Sequence, residues 1–274
     1  MIRLLTQAHQ AAAQELLEQK PAQNLYLLGN MAILGMEHPD CQFWGDFGAD
    51  GQLRGVLNRY MSGWTLYGTP DADWPGLAAI IDSYPLPATR LQDNPGGVES
   101  VLPWLTRYRA VKVSVEELME LEADAFRPLA TREPMLVRRA DLVDLDALIG
   151  FYAEAEHMAR TPTNVERPIR NTRLFVAEET GNASAETAPY GLPAIRSAAL
   201  TNAETATLAM IGGVYTPPAY RGRGLSQAVC SALCADLLAA GKRPVLYWET
   251  PAAGAVYRKL GFTRVGDWRS VWLA

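Results

Sequence analysis

Glycine and arginine alternate over residues 221–224, directly before a long helical stretch. The sequence there is Arg-Gly-Arg-Gly, and residues 225–240 follow as an uninterrupted predicted helix that ends at Gly241. The first N–H groups of a helix lack intrahelical acceptors, and the helix dipole is positive at this end. Glycine lets an anion approach the backbone because no Cβ is in the way. The segment therefore predicts a phosphate site; the alternative is an ordinary basic turn that caps a surface helix.

An apolar run over 208–214 precedes this turn and predicts a buried strand. Gly212 and Gly213 interrupt the run, and glycine inside a strand is typical of a bulge or of a close approach to the backbone. Pro217 and Pro218 end the strand. The loop between strand and helix is therefore short, and its N–H groups point towards the predicted anion.

Two common phosphate loops do not fit this segment. A dinucleotide site needs glycines spaced G-x-G-x-x-G after a first strand, and a nucleoside triphosphate loop needs Gly-Lys-Ser/Thr. Residues 221–226 contain neither pattern.

The segment instead resembles the acyl-CoA pyrophosphate loop of the GCN5-related N-acetyltransferases, whose pattern is Arg/Gln-x-x-Gly-x-Gly/Ala. Arg221 and Gly224 match it, and Ser226 replaces the last small residue. Residues 250–262 are similar to the second signature of this family, Asn-x-x-Ala-x-x-Leu-Tyr-x-Lys-Leu-Gly-Phe. Thr250 and Val256 replace the Asn and the Leu; the matching residues are Ala253, Tyr257, Lys259, Leu260, Gly261 and Phe262.

The resemblance implies an acyl-CoA-dependent N-acyltransferase that moves an acetyl group from acetyl-CoA to a primary amine by direct transfer, without a metal. The acceptor would be a small-molecule or peptide amine. The residues that match cofactor-binding positions are Val214, Thr216, Arg221, Gly222, Arg223, Gly224, Leu225, Ser226, Thr250 and Tyr257. Tyr257 matches the usual general acid, with packing as the alternative role.

No general base is identified by the motifs. Glu249, at the end of a predicted strand, is the better candidate than Glu204. A base that acts through water, or no base at all, remains open. Two further alternatives also remain: a regulatory protein that binds acyl-CoA without turnover, and a structural tandem without a ligand.

Composition limits the other classes of function. The 274 residues are 49% hydrophobic and 20% charged, with a net charge of −5, which is typical of globular proteins and argues against nucleic-acid binding. No membrane span or export signal is evident, so we expect a cytoplasmic protein, as a monomer or a homodimer. Cys41, Cys230 and Cys234 are too few for a disulfide framework, and buried packing of the last two is favoured over metal binding.

The order of predicted elements gives an α/β fold with a mixed sheet. Residues 134–274 are expected to form the acetyltransferase domain, with a mobile loop at 180–193 and a turn near Asn202. Residues 1–130 predict a second α/β domain, with helices at 11–19, 24–35, 77–83 and 98–105 and strands at 42–47, 53–60, 63–67 and 108–113. The acidic turn after Tyr67 indicates a degenerate acetyltransferase-like domain without its own cofactor; an unrelated α/β domain is the alternative.

Overall fold

The computed structural model describes residues 1–130, 135–155, 160–179 and 195–274. The predicted loop at 180–193 and most of the predicted link between the domains lie outside these ranges. Contacts divide the chain into two units. The first contains Met1–Met119, Tyr247–Glu249 and Arg264–Ala274; the second contains Glu120–Leu246 and Thr250–Thr263.

The first unit builds a mixed sheet from strands at both ends of the chain. Its strand order is β1-β3-β4-β5-β6-β13-β7, and β2 pairs with β3. The strands are β1 (Ile2–Leu4), β2 (Glu37–His38), β3 (Cys41–Phe47), β4 (Leu53–Tyr60), β5 (Gly63–Gly68), β6 (Arg90–Asp93), β7 (Ala110–Glu120) and β13 (Thr263–Leu273). The helices are α1 (Gln10–Leu17), α2 (Leu25–Leu34), α3 (Trp74–Ser83) and α4 (Pro95–Val101).

The second unit has the strand order β12-β11-β10-β9-β8. Its strands are β8 (Met135–Arg139), β9 (Leu174–Glu179), β10 (Ile195–Glu204), β11 (Leu208–Tyr215) and β12 (Arg243–Trp248). Its helices are α5 (Leu145–Ala153), α6 (Pro162–Asn171), α7 (Leu225–Ala239) and α8 (Pro251–Leu260). Leu174, Val176, Ala198 and Leu200 share a core with α5 and α6, while α7 packs along the same strands.

The two units repeat one order of elements. Each has a first strand, two helices, a three-stranded antiparallel meander, a helix, a strand parallel to the end of the meander and a final helix. The parallel pairs are β5 with β6 and β11 with β12. The repeat confirms the predicted α/β fold class and gives the first half the same topology as the second. The last strand, which the sequence analysis assigns to the second domain, lies with the first unit by its contacts; the division at 130–134 stays a prediction.

Several element boundaries differ from the sequence-based prediction. β10 continues through Asn202 to Glu204, so the predicted turn near Asn202 is wrong. The turn lies at 205–207, where the Thr205 hydroxyl accepts a hydrogen bond from the Leu208 N–H at 3.0 Å. β7 extends to Glu120, and its buried positions begin only at Ser114, after the end of the predicted strand. The four-residue strand β6 was not predicted, since its segment carries only one fully apolar residue, Leu91.

Candidate functional site

Strands β11 and β12 separate half-way along β11. Their paired residues are Leu208 with Arg243, Ala209 with Pro244 and Met210 with Val245. Among the described residues, this parallel register does not continue beyond Met210. The backbone N–H and C=O groups that follow on this edge of β11 are therefore not used in the ladder with β12, and an extended ligand with amide groups could pair with them.

The separated part of β11 also contains the bulge expected from Gly212 and Gly213. Ala198 of β10 pairs with Tyr215 of β11, and Leu200 pairs with Gly212. Between these two pairs β11 advances by three residues and β10 by two, so β11 contains one extra residue. Gly213 has a φ of +57°, in the left-handed region that favours glycine. The bulge turns the backbone of Gly213 and Val214 away from the regular ladder.

A glycine-rich loop follows β11 and leads into α7. Gly222 and Gly224 have φ values of +79° and +81°. A Cβ built on Gly222 would meet no atom within 4 Å, and one on Gly224 would meet only the Gln227 Oε1 at 4.0 Å. Gly224 is the N-cap residue of α7. It has no side chain, and so it makes no side-chain capping hydrogen bond. The first N–H groups of α7 therefore have no side-chain cap, which leaves them available to an anion.

The side chains around this loop hold its shape. The Arg221 Nε donates to the carbonyl oxygen of Thr216 at 3.0 Å, and the Arg223 guanidinium lies 5.4 Å from the centre of the Tyr220 ring. The Thr216 hydroxyl lies 2.8 Å from the Ser197 hydroxyl. These contacts place two positive charges on the loop, which adds attraction for an anion at the helix N-terminus.

The second motif forms α8. The Thr250 hydroxyl accepts the Ala253 N–H at 3.4 Å, which caps the helix at its start. Gly261 ends the helix with a φ of +106°, and a Cβ at this position would collide with the carbonyl oxygen of Ala125. This glycine is therefore required by both backbone conformation and space.

Tyr257 lies inside the second unit, on α8. Its side chain is 7% exposed and makes an edge-to-face contact with Phe262, with 5.9 Å between ring centres. Burial raises the pKa of the Tyr257 phenol well above its usual value, and the neighbouring thiols of Cys230 and Cys234 raise it further. The phenol is therefore protonated throughout the neutral range, and its burial beside the two thiols also fits the packing role that is its alternative.

The predicted site residues do not all fall in the same unit. The second unit contains Tyr257, Thr250, Val214, Thr216 and the residues of the loop; Leu225 is buried there. Glu249 belongs to the first unit. Its side chain is 54% exposed, and one carboxylate oxygen lies 3.7 Å from the Lys112 Nζ.

Three residues at the bulge were missed by the sequence analysis. The Tyr152 hydroxyl of α5 donates to the carbonyl oxygen of Gly213 at 2.6 Å. The Asn202 side chain takes the space that a Cβ on Gly212 would need. The Arg160 Nη2 lies 2.8 Å from where a Cβ on Gly213 would be. Nothing local marks these residues in the sequence, but the Gly212–Gly213 pair indicates that something must approach the backbone there.

The first unit closes the corresponding places with its own carboxylates. β5 and β6 pair over three residues. Directly after the last pair, the Asp93 side chain accepts a hydrogen bond from the N–H of Leu66 at 3.2 Å. At the start of α3, the Asp73 side chain accepts the N–H of Gly76 at 3.0 Å. Burial raises the pKa of Asp93 to about 8. At each of these two places in the first unit, one backbone N–H group is thus already bonded to a carboxyl side chain.

Within the described ranges, no group of three or more His, Cys, Asp and Glu side chains is arranged to hold a metal ion. Cys230 and Cys234 are both buried and reduced, in agreement with a packing role. No helix in the described part of the chain is long and apolar enough to cross a membrane.

Comparison with known proteins finds similarity both in sequence and in fold. Residues 194–273 match the FR47-like protein family. A search of curated proteins finds no match. Among solved structures, a Drosophila protein is 12% identical with a TM-score of 0.71, and the alignment covers 100% of this chain and 98% of that one.

Two further structures have informative descriptions. A tandem GCN5-related protein from the clavulanic acid biosynthesis pathway is 12% identical with a TM-score of 0.63, covering 100% of this chain and 98% of that one. A GCN5-related N-acetyltransferase from Sphaerobacter thermophilus is 17% identical with a TM-score of 0.62, covering 99% and 94%. The chain therefore has the two-domain fold of the GCN5-related N-acetyltransferases, and residues 194–273 match the FR47-like protein family.

Proposed function

We propose that the second unit binds acetyl-CoA and transfers its acetyl group to a primary amine. The observation that carries this proposal is the separation of β11 from β12 beside an uncapped helix N-terminus. In this arrangement the pantetheine amides pair with the backbone around Val214, and the N–H groups from Gly222 to Ser226 hold the pyrophosphate. Arg221 and Arg223 add positive charge.

The reaction needs few catalytic groups from the protein because the thioester is already activated. The amine nitrogen attacks the acetyl carbonyl carbon, the new C–N bond forms and the C–S bond breaks. The departing thiolate takes the proton of the Tyr257 phenol, and the amine gives up a proton to a base. Glu249 stays our candidate for the base, with Lys112 beside its carboxylate. Holding both substrates in one place supplies the rest of the acceleration.

We infer that the chain has one acyl-CoA site. The first unit repeats the topology, but Asp93 and Asp73 accept the N–H groups of Leu66 and Gly76, at the places where a ligand would bind. The Asp73 carboxylate at the start of α3 also opposes a pyrophosphate by charge.

Turnover with a panel of amines tests the proposal. The full chain is mixed with acetyl-CoA and each amine, and free CoA thiol is measured. Release that depends on the amine, together with the acetylated product, supports an enzyme. Binding of acetyl-CoA with no release above the hydrolysis background for any amine would instead support the regulatory alternative, in which the site binds acyl-CoA without turnover.

A further inference from the structure

Arg160 lies directly at the bulge of β11. Its Nη2 lies 2.8 Å from where a Cβ on Gly213 would be, and its guanidinium lies 5.5 Å from the centre of the Tyr152 ring. The Nη2 also donates to the Asn202 side-chain oxygen at 3.2 Å. A cation is thus held over the backbone next to Val214, where the pantetheine of the cofactor pairs in the proposed site.

The contacts of Arg160 distinguish it from three arginines of the second unit that pair with acidic side chains. Arg138 binds Asp144 and Glu178, Arg173 binds Glu204 and Asp236, and Arg196 binds Glu179. None of the acidic side chains in the described ranges pairs with Arg160. Within the described ranges, the buried Nε of Arg160 also has no hydrogen-bond acceptor. A buried guanidinium nitrogen without an acceptor carries a free-energy cost that an incoming acceptor group would remove.

Neighbouring groups fix the position of this cation. The Arg167 Nη2 of α6 donates to the backbone oxygen of Asn202 at 2.6 Å. Asn202 in turn uses its side chain to hold Arg160 and to cover Gly212. A neutral amide therefore anchors the guanidinium from one side. This partner holds the group in place but does not neutralise its positive charge.

We propose that Arg160 binds a carboxylate on the acyl acceptor, so that the acceptor is an amino-carboxylate rather than a simple amine. This inference rests on the proposed function, since the acceptor must approach the thioester beside Gly213. A guanidinium matches a carboxylate with two parallel N–H···O bonds, and a protonated amine without a carboxylate is repelled by it. Arg160 is then a specificity-determining residue of the reaction.

Matched acceptor pairs test this assignment. Glycine and methylamine, tyrosine and tyramine, and histidine and histamine differ within each pair only by the carboxylate. In the full chain we expect kcat/KM to be about tenfold or more higher for the carboxylate member of the pair that reacts best. Arg160→Gln should remove this preference by lowering kcat/KM for the carboxylate member only, and Arg160→Lys should keep part of it.

The control is Arg170→Gln on α6. It removes the same charge from an exposed side chain that pairs with Glu166, and it should leave the preference unchanged. Equal kcat/KM for both members in the unmodified chain, or an equal loss for both in Arg160→Gln, would overturn the assignment. Absence of acetyl-CoA binding would instead contradict the proposed function itself.

A binding measurement does not depend on turnover. N-acetylglycine and N-methylacetamide, the products from the smallest pair, are added to the chain with CoA present. N-acetylglycine should raise the melting temperature of the unmodified chain and of Arg170→Gln, and it should do so less for Arg160→Gln. The same shift in all three proteins, or no shift in any of them, would overturn the role of Arg160.

Discussion

The Tyr152 hydroxyl donates a 2.6 Å hydrogen bond to the carbonyl oxygen of Gly213, and so joins α5 to the bulge of β11. Tyr152 is fully buried, and burial raises the pKa of its phenol above the usual value, so the donor is retained at neutral and moderately alkaline pH. This bond gives the half-buried carbonyl a partner and helps to fix the backbone that the cofactor would meet.

Tyr152→Phe should therefore weaken both the fold and the binding of acetyl-CoA. The Gly213 carbonyl loses its donor, which costs about 1–3 kcal/mol of unfolding free energy. Chemical denaturation and calorimetry measure the two effects. Tyr215→Phe is the matched control, because its hydroxyl donates to the Glu154 carbonyl at 3.2 Å and not to the bulge. Equal losses of acetyl-CoA affinity in both variants would contradict a specific role for Tyr152.

Substitutions at Gly224 separate backbone strain from charge. Gly224→Ala adds a methyl group at a φ of +81°, which costs about 1 kcal/mol of stability, in a space with no atom closer than 4.0 Å. Gly224→Asp adds a similar strain and a negative charge at the helix N-terminus. We expect Asp to weaken acetyl-CoA binding much more than Ala, as measured by calorimetry on folded protein. Similar affinities for the two variants would mean that no phosphate binds at this turn.

Tyr257→Phe removes only the hydroxyl that we propose as the proton donor to the departing thiolate. The contact with Phe262 survives, so acetyl-CoA affinity should change little. The rate of transfer should fall roughly 10²-fold, as expected for loss of a general acid that acts in the transition state. Steady-state turnover measures the rate and calorimetry the affinity. A rate within twofold of the unmodified chain would assign Tyr257 to packing alone.

Alkaline pH should destabilise the chain through its buried thiols. Burial raises the pKa of Cys230 from 9.0 to about 12, so the folded state holds a proton that the unfolded state loses first. The unfolding free energy should then fall between pH 9 and 12, by up to about 1.4 kcal/mol per pH unit for each such thiol. Denaturation at several pH values should show a shallower fall for Cys230→Ala. An unchanged slope in that variant would mean that this thiol does not contribute.

The sequence predicts the parts of the site that depend on local signals. Gly212, Gly213 and the two prolines after β11 mark the bulge and the end of the strand, and Thr250 and Gly261 mark the ends of α8; all have the expected conformations. These residues act through their own backbone preferences, which do not need knowledge of the rest of the chain.

The residues that surround the bulge were not predictable in the same way. Tyr152 and Arg160 lie more than fifty residues before Gly213, and only the fold brings them there. Asn202 was wrongly expected in a turn because asparagine favours turns. In the structure its side chain fills the space above Gly212, so a tertiary contact outweighs the local preference. Glu249 illustrates the same limit, since its position in the sequence did not reveal Lys112 as its neighbour.

Calorimetric titration of acetyl-CoA into the full chain tests whether the second unit holds a single acyl-CoA site. We expect saturable binding with a stoichiometry of one per chain, because the N-terminus of α7 has no side-chain cap at Gly224, whereas the Asp73 side chain caps α3 in the first unit. Absence of binding to folded protein at millimolar acetyl-CoA, or a stoichiometry of two, would contradict it.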